Sequence, residues 1–188
     1  PLTLTTMLTL AYCAGLRIGE IVRLRIGDIR SEDDALEVRE TKFFKSRRLP
    51  LQTRVMTDLR AYVAARERAG LSVEPDATLF GYAYSTGEQL LRRVLQYAGL
   101  KPQSGRVGPR VHDLRHTFVV HRMLAWYRAG INPQARLPYL ATYLGHRDIH
   151  ATLVYLTITQ ELLQEASERF RALGAPTVAL SPGGAPCA

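Results

Sequence analysis

The chain has 188 residues, a formal net charge of +8, 46% hydrophobic and 22% charged side chains. This is the balance of one globular domain with enough apolar residues for a core, and the excess of Lys and Arg favours a polyanionic partner, nucleic acid being the commonest. Two cysteines, Cys13 and Cys187, cannot build a disulfide framework or a four-thiolate zinc site, and no apolar run approaches the ~18 residues of a membrane span.

Few cysteines fit a reducing, intracellular compartment. The first residue is Pro1 rather than Met, so the chain reads as a fragment or a processed product. In chain order, "LTTMLTLAYCAG" predicts a helix that stops at Gly15, and "RIGEIVRL" predicts a short second one. "ALEVRE" and "RRLPL" have strand character with the polar, basic "TKFFKS" between them, so residues 35–51 are expected to form a β-hairpin. "QTRVMTDLRAYVAARERAG" is an amphipathic helix closed by Gly70. "LSVEPDATLFGYAYSTG" is loop-like, and "EQLLRRVLQYAGL" is a helix carrying Arg92 and Arg93. "KPQSGRVGP", with Lys101 and Arg106, is a basic connector expected to move or to touch a ligand.

Helical patterns follow in "VHDLRHTFVVHRMLAWYRAG", "PQARLPYLATYLG" and "TQELLQEASERFRALG", the last with Leu162, Leu163, Ala166 and Phe170 on one face. Residues 174–188 read as a disordered tail. The expected fold class is mainly α with a small antiparallel β-sheet (α+β), as one domain over residues 1–173.

Four stretches carry residues with chemical potential. In "LGHRDIHATLVYLTI", Gly145 ends one helix and Asp148 can cap the next. On that next helix Ile149, Leu153 and Leu156 share a stripe, and Tyr155 lies more than about 90° from its middle. Tyr155 is therefore not placed as a core tyrosine, with His146 in the preceding turn; the alternative is a partly exposed Tyr beside a capping His. In "HDLRH", His112 and Arg115 share a face at a helix start, where free N–H groups and the dipole favour an anion; the alternative is a solvated charged face. His112 and His116 also have a zinc-peptidase spacing, but Asp113 stands where those enzymes carry Glu, and no metal is expected. "AGLRIGE" places Arg17 after a tight Gly turn with Glu20 able to hold its guanidinium, or else forms an ordinary surface pair. "ETKFFKSRRLPL" puts Lys42 and Lys45 on a hairpin tip, or else protects an edge strand with charge.

Each signal is weak alone, but their order is specific. An Arg after a Gly turn, a hairpin Lys, His-x-x-Arg, Leu-Gly-His and a Tyr nine residues later resemble the tyrosine recombinase (phage integrase) family, from about Thr3 to Leu173. The resemblance implies the DNA breaking-rejoining catalytic fold and site-specific recombination of double-stranded DNA through a 3′-phosphotyrosine, without metal or other cofactor. It implies Tyr155 as nucleophile, Arg17, Arg115 and His146 around the scissile phosphate, and His112 in proton transfer and positioning. It implies Lys42 as the general acid for the leaving oxygen, with Lys45 its rival, and Glu20 as support for Arg17. DNA contacts are expected from Lys45, Arg47, Arg92, Arg93, Lys101, Arg106 and Arg110. Family members also carry an N-terminal DNA-clamping domain, expected to be absent from this chain, and assemble on DNA as homo-oligomers (tetramers) through the C-terminal segment. The expected location is cytoplasmic and DNA-associated, with no membrane. Thr157 departs from the His that many relatives carry two positions after the nucleophile. Two other readings are a non-catalytic helix-turn-helix DNA-binding module spanning residues 133–156, which predicts that Arg17 and Arg115 lie far apart, and a type IB topoisomerase.

Overall fold

A computed structural model of the chain describes residues 2–39, 46–103 and 107–146. The described elements are α1 (Leu2–Cys13), α2 (Ile18–Ile21), β1 (Ile29–Arg30), β2 (Ala35–Val38), β3 (Arg47–Pro50), α3 (Thr53–Arg68), α4 (Tyr84–Tyr97), α5 (Asp113–Arg128) and α6 (Pro133–Leu144). The three strands form one antiparallel sheet in the order β1-β2-β3. The architecture is mainly helical with a small antiparallel sheet, as the sequence pattern indicates.

Burial follows helical periodicity. On α3 the inward side chains are Val55, Met56, Leu59 and Tyr62, the stripe expected of an amphipathic helix. They meet Met7, Leu10 and Ala11 of α1, which packs against both α3 and α5. Met7, Leu10, Met56 and Leu59 are fully buried, each stabilising the fold by roughly 1.5–3 kcal/mol. A second cluster joins α5 and α6 through Val119, Met123, Leu124, Leu137, Leu140 and Leu144. The Phe118 and Tyr143 rings stack at 5.6 Å and bind these two helices at their edge.

The hairpin expectation is met in its strands, with Leu36 opposite Leu49 and Val38 opposite Arg47. Side chains alternate across a strand, so Arg47 shares the inward face of Leu49 while Arg48 points to the other side. Strand β1 has no signal of its own: two residues cannot display a period, and Ile29 and Arg30 become a strand by pairing with Leu36 and Ala35.

Helix α4 begins at Tyr84, four residues before the expected start at Glu88. Gly87 reads as loop in the sequence, but here it lets α4 approach α2. A Cβ at Gly87 would stand 2.8 Å from Val22 Cγ1.

At Gly15 the chain turns with φ +64°, and a Cβ there would meet the Phe118 ring at 2.5 Å. Gly15→Ala is therefore expected to cost about 2–4 kcal/mol, from left-handed strain plus overpacking, and to lower the thermal midpoint by roughly 5–15 °C. A melting curve unchanged by this substitution would contradict the packing described.

The expected hairpin turn with Lys42 and Lys45, Arg106, the helix of Tyr155, the helix at 159–174 and the tail lie outside the described residues. No helix among the described residues is long and apolar enough to cross a membrane.

Candidate nucleic-acid cleavage site

The site is assembled around the end of α6. "YLGH" closes that helix in a Schellman arrangement: Gly145 N–H donates to Thr142 O at 3.0 Å and His146 N–H to Ala141 O at 2.9 Å. Gly145 has φ +67°, which admits glycine and turns His146 back toward α5. The Leu144 carbonyl thereby faces the two arginines singled out in the sequence. Arg115 Nη2 donates to it at 2.6 Å and Arg17 Nη1 at 3.4 Å. Arg115 also donates to Gly15 O at 2.7 Å, tying α5 to the turn that delivers Arg17.

His146 Nε2 lies 3.1 Å from Arg115 Nη2. A guanidinium only donates, so Nε2 accepts and the imidazole is neutral. Burial first, then the charges of Arg115, Arg17 and Arg47, push the His146 pKa from 6.5 down to about 4. His112 precedes α5 and meets His116 edge to face at 5.2 Å. Burial, then His116, Arg115 and Arg17, lower its pKa as well. His112 and Arg17 line one cavity of about 400 Å³ together with Glu20, Arg23, Tyr84 and Arg110.

Glu20 is the electrostatic centre, 4% exposed. Its carboxylate accepts from the Arg17 backbone N–H at 3.0 Å and from Arg17 Nη1 at 3.0 Å. Arg115 Nη1 stands 3.8 Å away. Arg47 grips both oxygens, Nη1 to Oε1 at 3.0 Å and Nη2 to Oε2 at 3.1 Å. Burial raises the Glu20 carboxyl, but the Arg47 hydrogen bonds and charge, with Arg17 N–H and Arg115, outweigh it and hold it below the usual carboxylate range.

The structure thus brings together Arg17, Glu20, His112, Arg115 and His146, and it does not separate Arg17 from Arg115 as the binding-module reading requires. Two residues expected to contact DNA are engaged within the protein. Lys101 is 8% exposed, and its ammonium donates to the Val107 and Gly108 carbonyls, so it braces its own loop. Arg47 faces inward onto Glu20 and donates through Nε to Tyr143 O at 2.9 Å. Its placement was readable from strand alternation, since it lies two residues before the apolar Leu49. Arg92 and Arg93 are exposed on α4, and Arg110 is exposed and paired with Asp113 at 3.1 Å.

The low pKa of His146 has a measurable consequence. The folded value lies below the unfolded one, so the unfolded chain takes up the proton first. Stability tied to this group is intact above about 6.5 and is lost as the pH falls toward 4, with His112 and His116 acting in the same direction. An imidazole ¹⁵N titration is expected to keep His146 neutral down to about pH 4, and denaturation midpoints should fall across that window. A His146 titration at its ordinary 6.5 would contradict the arrangement.

Fold and site together define a mainly helical domain that gathers three guanidiniums and a buried carboxylate at one helix end, with two imidazoles beside them. The model of the phage integrase family matches residues 1–161, and the chain belongs to that family. It is 40% identical over 176 residues to the putative integrase/recombinase y4rE of Sinorhizobium fredii, covering 89% of this chain and 55% of the relative. It is 29% identical over 162 residues to the tyrosine recombinase XerA of Pyrococcus furiosus, covering 85% and 52%. The chain spans about half the length of these curated relatives. Among solved structures, the XerA recombinase crystal structure superposes with a TM-score of 0.69 at 21% identity, over 90% of this chain and 57% of that one. The XerH site-specific recombinase bound to a palindromic difH substrate does so at 0.66 and 20% identity, over 90% and 46%. At these identities the structural likeness speaks for the fold.

Proposed function

We propose that the chain is the catalytic domain of a site-specific DNA recombinase that cleaves and rejoins strands through a 3′-phosphotyrosine on Tyr155. The observation that carries this reading is the convergence of Arg17 and Arg115 on the Leu144 carbonyl, with His146 at 3.1 Å from Arg115. Double-stranded DNA as substrate is supported by the +8 charge, by family membership and by the DNA complex of the XerH relative.

The chemistry needs these residue types. Ionising a free tyrosine at pH 7 costs ~4 kcal/mol, so the attacking hydroxyl needs a base and a cationic field. His112, with its pKa held down, is in the base form at neutral pH. As the Tyr155 oxygen bonds to phosphorus, charge grows on the non-bridging oxygens, which two fork-shaped guanidiniums stabilise better than ammoniums. The P–O5′ bond breaks, and Lys42, or Lys45 in its place, protonates the leaving oxygen. A 5′-hydroxyl from another strand reverses the step, so no nucleotide is consumed. Residues 159–174 join neighbouring protomers into a tetramer on DNA in this reading, and Arg92, Arg93, Arg106 and Arg110 meet phosphates.

A pool of nicked duplexes with randomised sequence provides the test. The 188-residue chain is expected to form an adduct that survives denaturation and to enrich a preferred sequence. Adducts without any enrichment, together with relaxation of supercoiled plasmid, would instead favour a topoisomerase. DNA binding with no adduct would leave a binding module.

A further inference from the structure

Arg47 is not among the residues that the family's motif order assigns to the reaction, yet its guanidinium holds both oxygens of the Glu20 carboxylate. Its side chain is 11% exposed, against 34% for Arg17. It makes two hydrogen bonds to the Glu20 carboxylate and a third to the Tyr143 carbonyl. These contacts join three segments: β3 at the base of the hairpin, helix α2 with Glu20 and its N-cap Arg17, and the end of α6 that leads into His146. Gly145 leaves room for the contact, since a Cβ there would stand 2.8 Å from Arg47 Nη1. The glycine of Leu-Gly-His thus serves the turn and seats the guanidinium.

Charge gives the same picture. Arg17, Arg47 and Arg115 surround one carboxylate, so three positive charges less one negative leave two at the pocket. A carboxylate gripped on both oxygens by Arg47 has less demand for Arg17 and Arg115. Without Arg47 it would draw those two guanidiniums into fuller pairing with itself, and the pocket would keep a single excess positive charge for an anion.

We infer that Arg47 is a positioning residue for strand cleavage: it occupies the Glu20 carboxylate and ties the hairpin base to the end of α6, holding Arg17, Arg115 and His146 in register around the phosphodiester. This inference rests on the recombinase reading. It differs from a direct DNA contact, because an inward guanidinium bonded to Glu20 and Tyr143 acts through other side chains.

The test uses the full chain and a duplex enriched from the randomised pool, comparing the parent with Arg47→Met and Arg47→Lys. At saturating DNA, single-turnover adduct formation by Arg47→Met is expected to slow by on the order of 100-fold, because a misplacement of about 1 Å at the reacting groups costs that much. Arg47→Lys should recover less than about tenfold, since an ammonium keeps the charge without the fork. The half-saturating DNA concentration is expected to rise severalfold at most, since one of the two excess positive charges at the pocket is lost, while the loss of saturated rate exceeds it. A merely structural role would instead lower the folded fraction, which thermal melts monitor, and leave the rate per folded molecule intact. Should Arg47→Met fail to fold, Arg47→Lys decides, and a parental rate in it overturns the inference. A salt slope reduced by about 1 with an unchanged saturated rate also overturns it, marking Arg47 as a phosphate contact. Normal cleavage by both variants removes Arg47 alone and leaves the recombinase reading standing. A parent chain that forms no adduct removes that reading, and this inference with it.

Discussion

Tyr155→Phe is expected to abolish covalent attachment to DNA while leaving binding within about threefold of the parent, because one hydroxyl contributes at most one hydrogen bond to affinity. Deleting a nucleophile that acts within a catalytic unit costs on the order of 10⁶ in rate, which places the residual signal at background. Binding should keep its salt dependence, since the phosphate contacts come from Arg and Lys. Gel retention at several salt concentrations reports binding, and denaturing electrophoresis reports the adduct. Adducts at the parental level in the Phe variant would remove Tyr155 from the reaction.

Arg115→Met is expected to damage both stability and chemistry. Arg115 is 1% exposed and bonds the Gly15 and Leu144 carbonyls, so it ties α5 to the turn after α1 and to the end of α6. Removing it takes the donor from the buried Gly15 carbonyl, leaves the Leu144 carbonyl only the 3.4 Å bond from Arg17, and takes a cation from beside the buried Glu20 carboxylate. Breaking buried ion pairs of this kind costs about 3–5 kcal/mol, or roughly 10 °C in a domain of this size. Losing a preorganised charge-stabilising donor costs a further factor of about 10²–10³ in cleavage rate. Arg115→Lys should melt closer to the parent yet cleave slowly, because one ammonium cannot reach both carbonyls and a phosphate in the fork geometry. Thermal melts and single-turnover rates check the two effects separately. A Met variant that melts with the parent would show that the guanidinium does not hold the segments together.

How much of this was legible in the sequence depends on the range of the interaction involved. The helices α1, α3, α5 and α6 were readable because their apolar stripes and terminal glycines are local signals. Strand β1 was not, since two residues gain their state only from β2. The early start of α4 was hidden because Gly87 serves a helix contact with Val22 that only the folded chain supplies. The candidate site shows the same division. Arg17, Glu20, His112, Arg115 and His146 stand in short motifs, and the structure gathers all five. Glu20 was expected to support Arg17 alone; its grip by Arg47 joins positions 27 residues apart, beyond any motif. Lys101 looked like a DNA contact because its connector is basic and Gly-rich, but the same loop folds its carbonyls onto the ammonium. Charge counts residues, whereas exposure depends on where the backbone carbonyls go.

In the proposed reaction the cationic pocket holds a phosphodiester for attack by Tyr155. The most direct test is to trap the adduct on an enriched nicked duplex, digest the protein and map the peptide that carries the nucleotide. A single modified peptide containing Tyr155 is expected, joined through its phenolic oxygen to a 3′-phosphate, with a free 5′-hydroxyl on the released strand. Attachment at another residue, or through a 5′-phosphate, would contradict it.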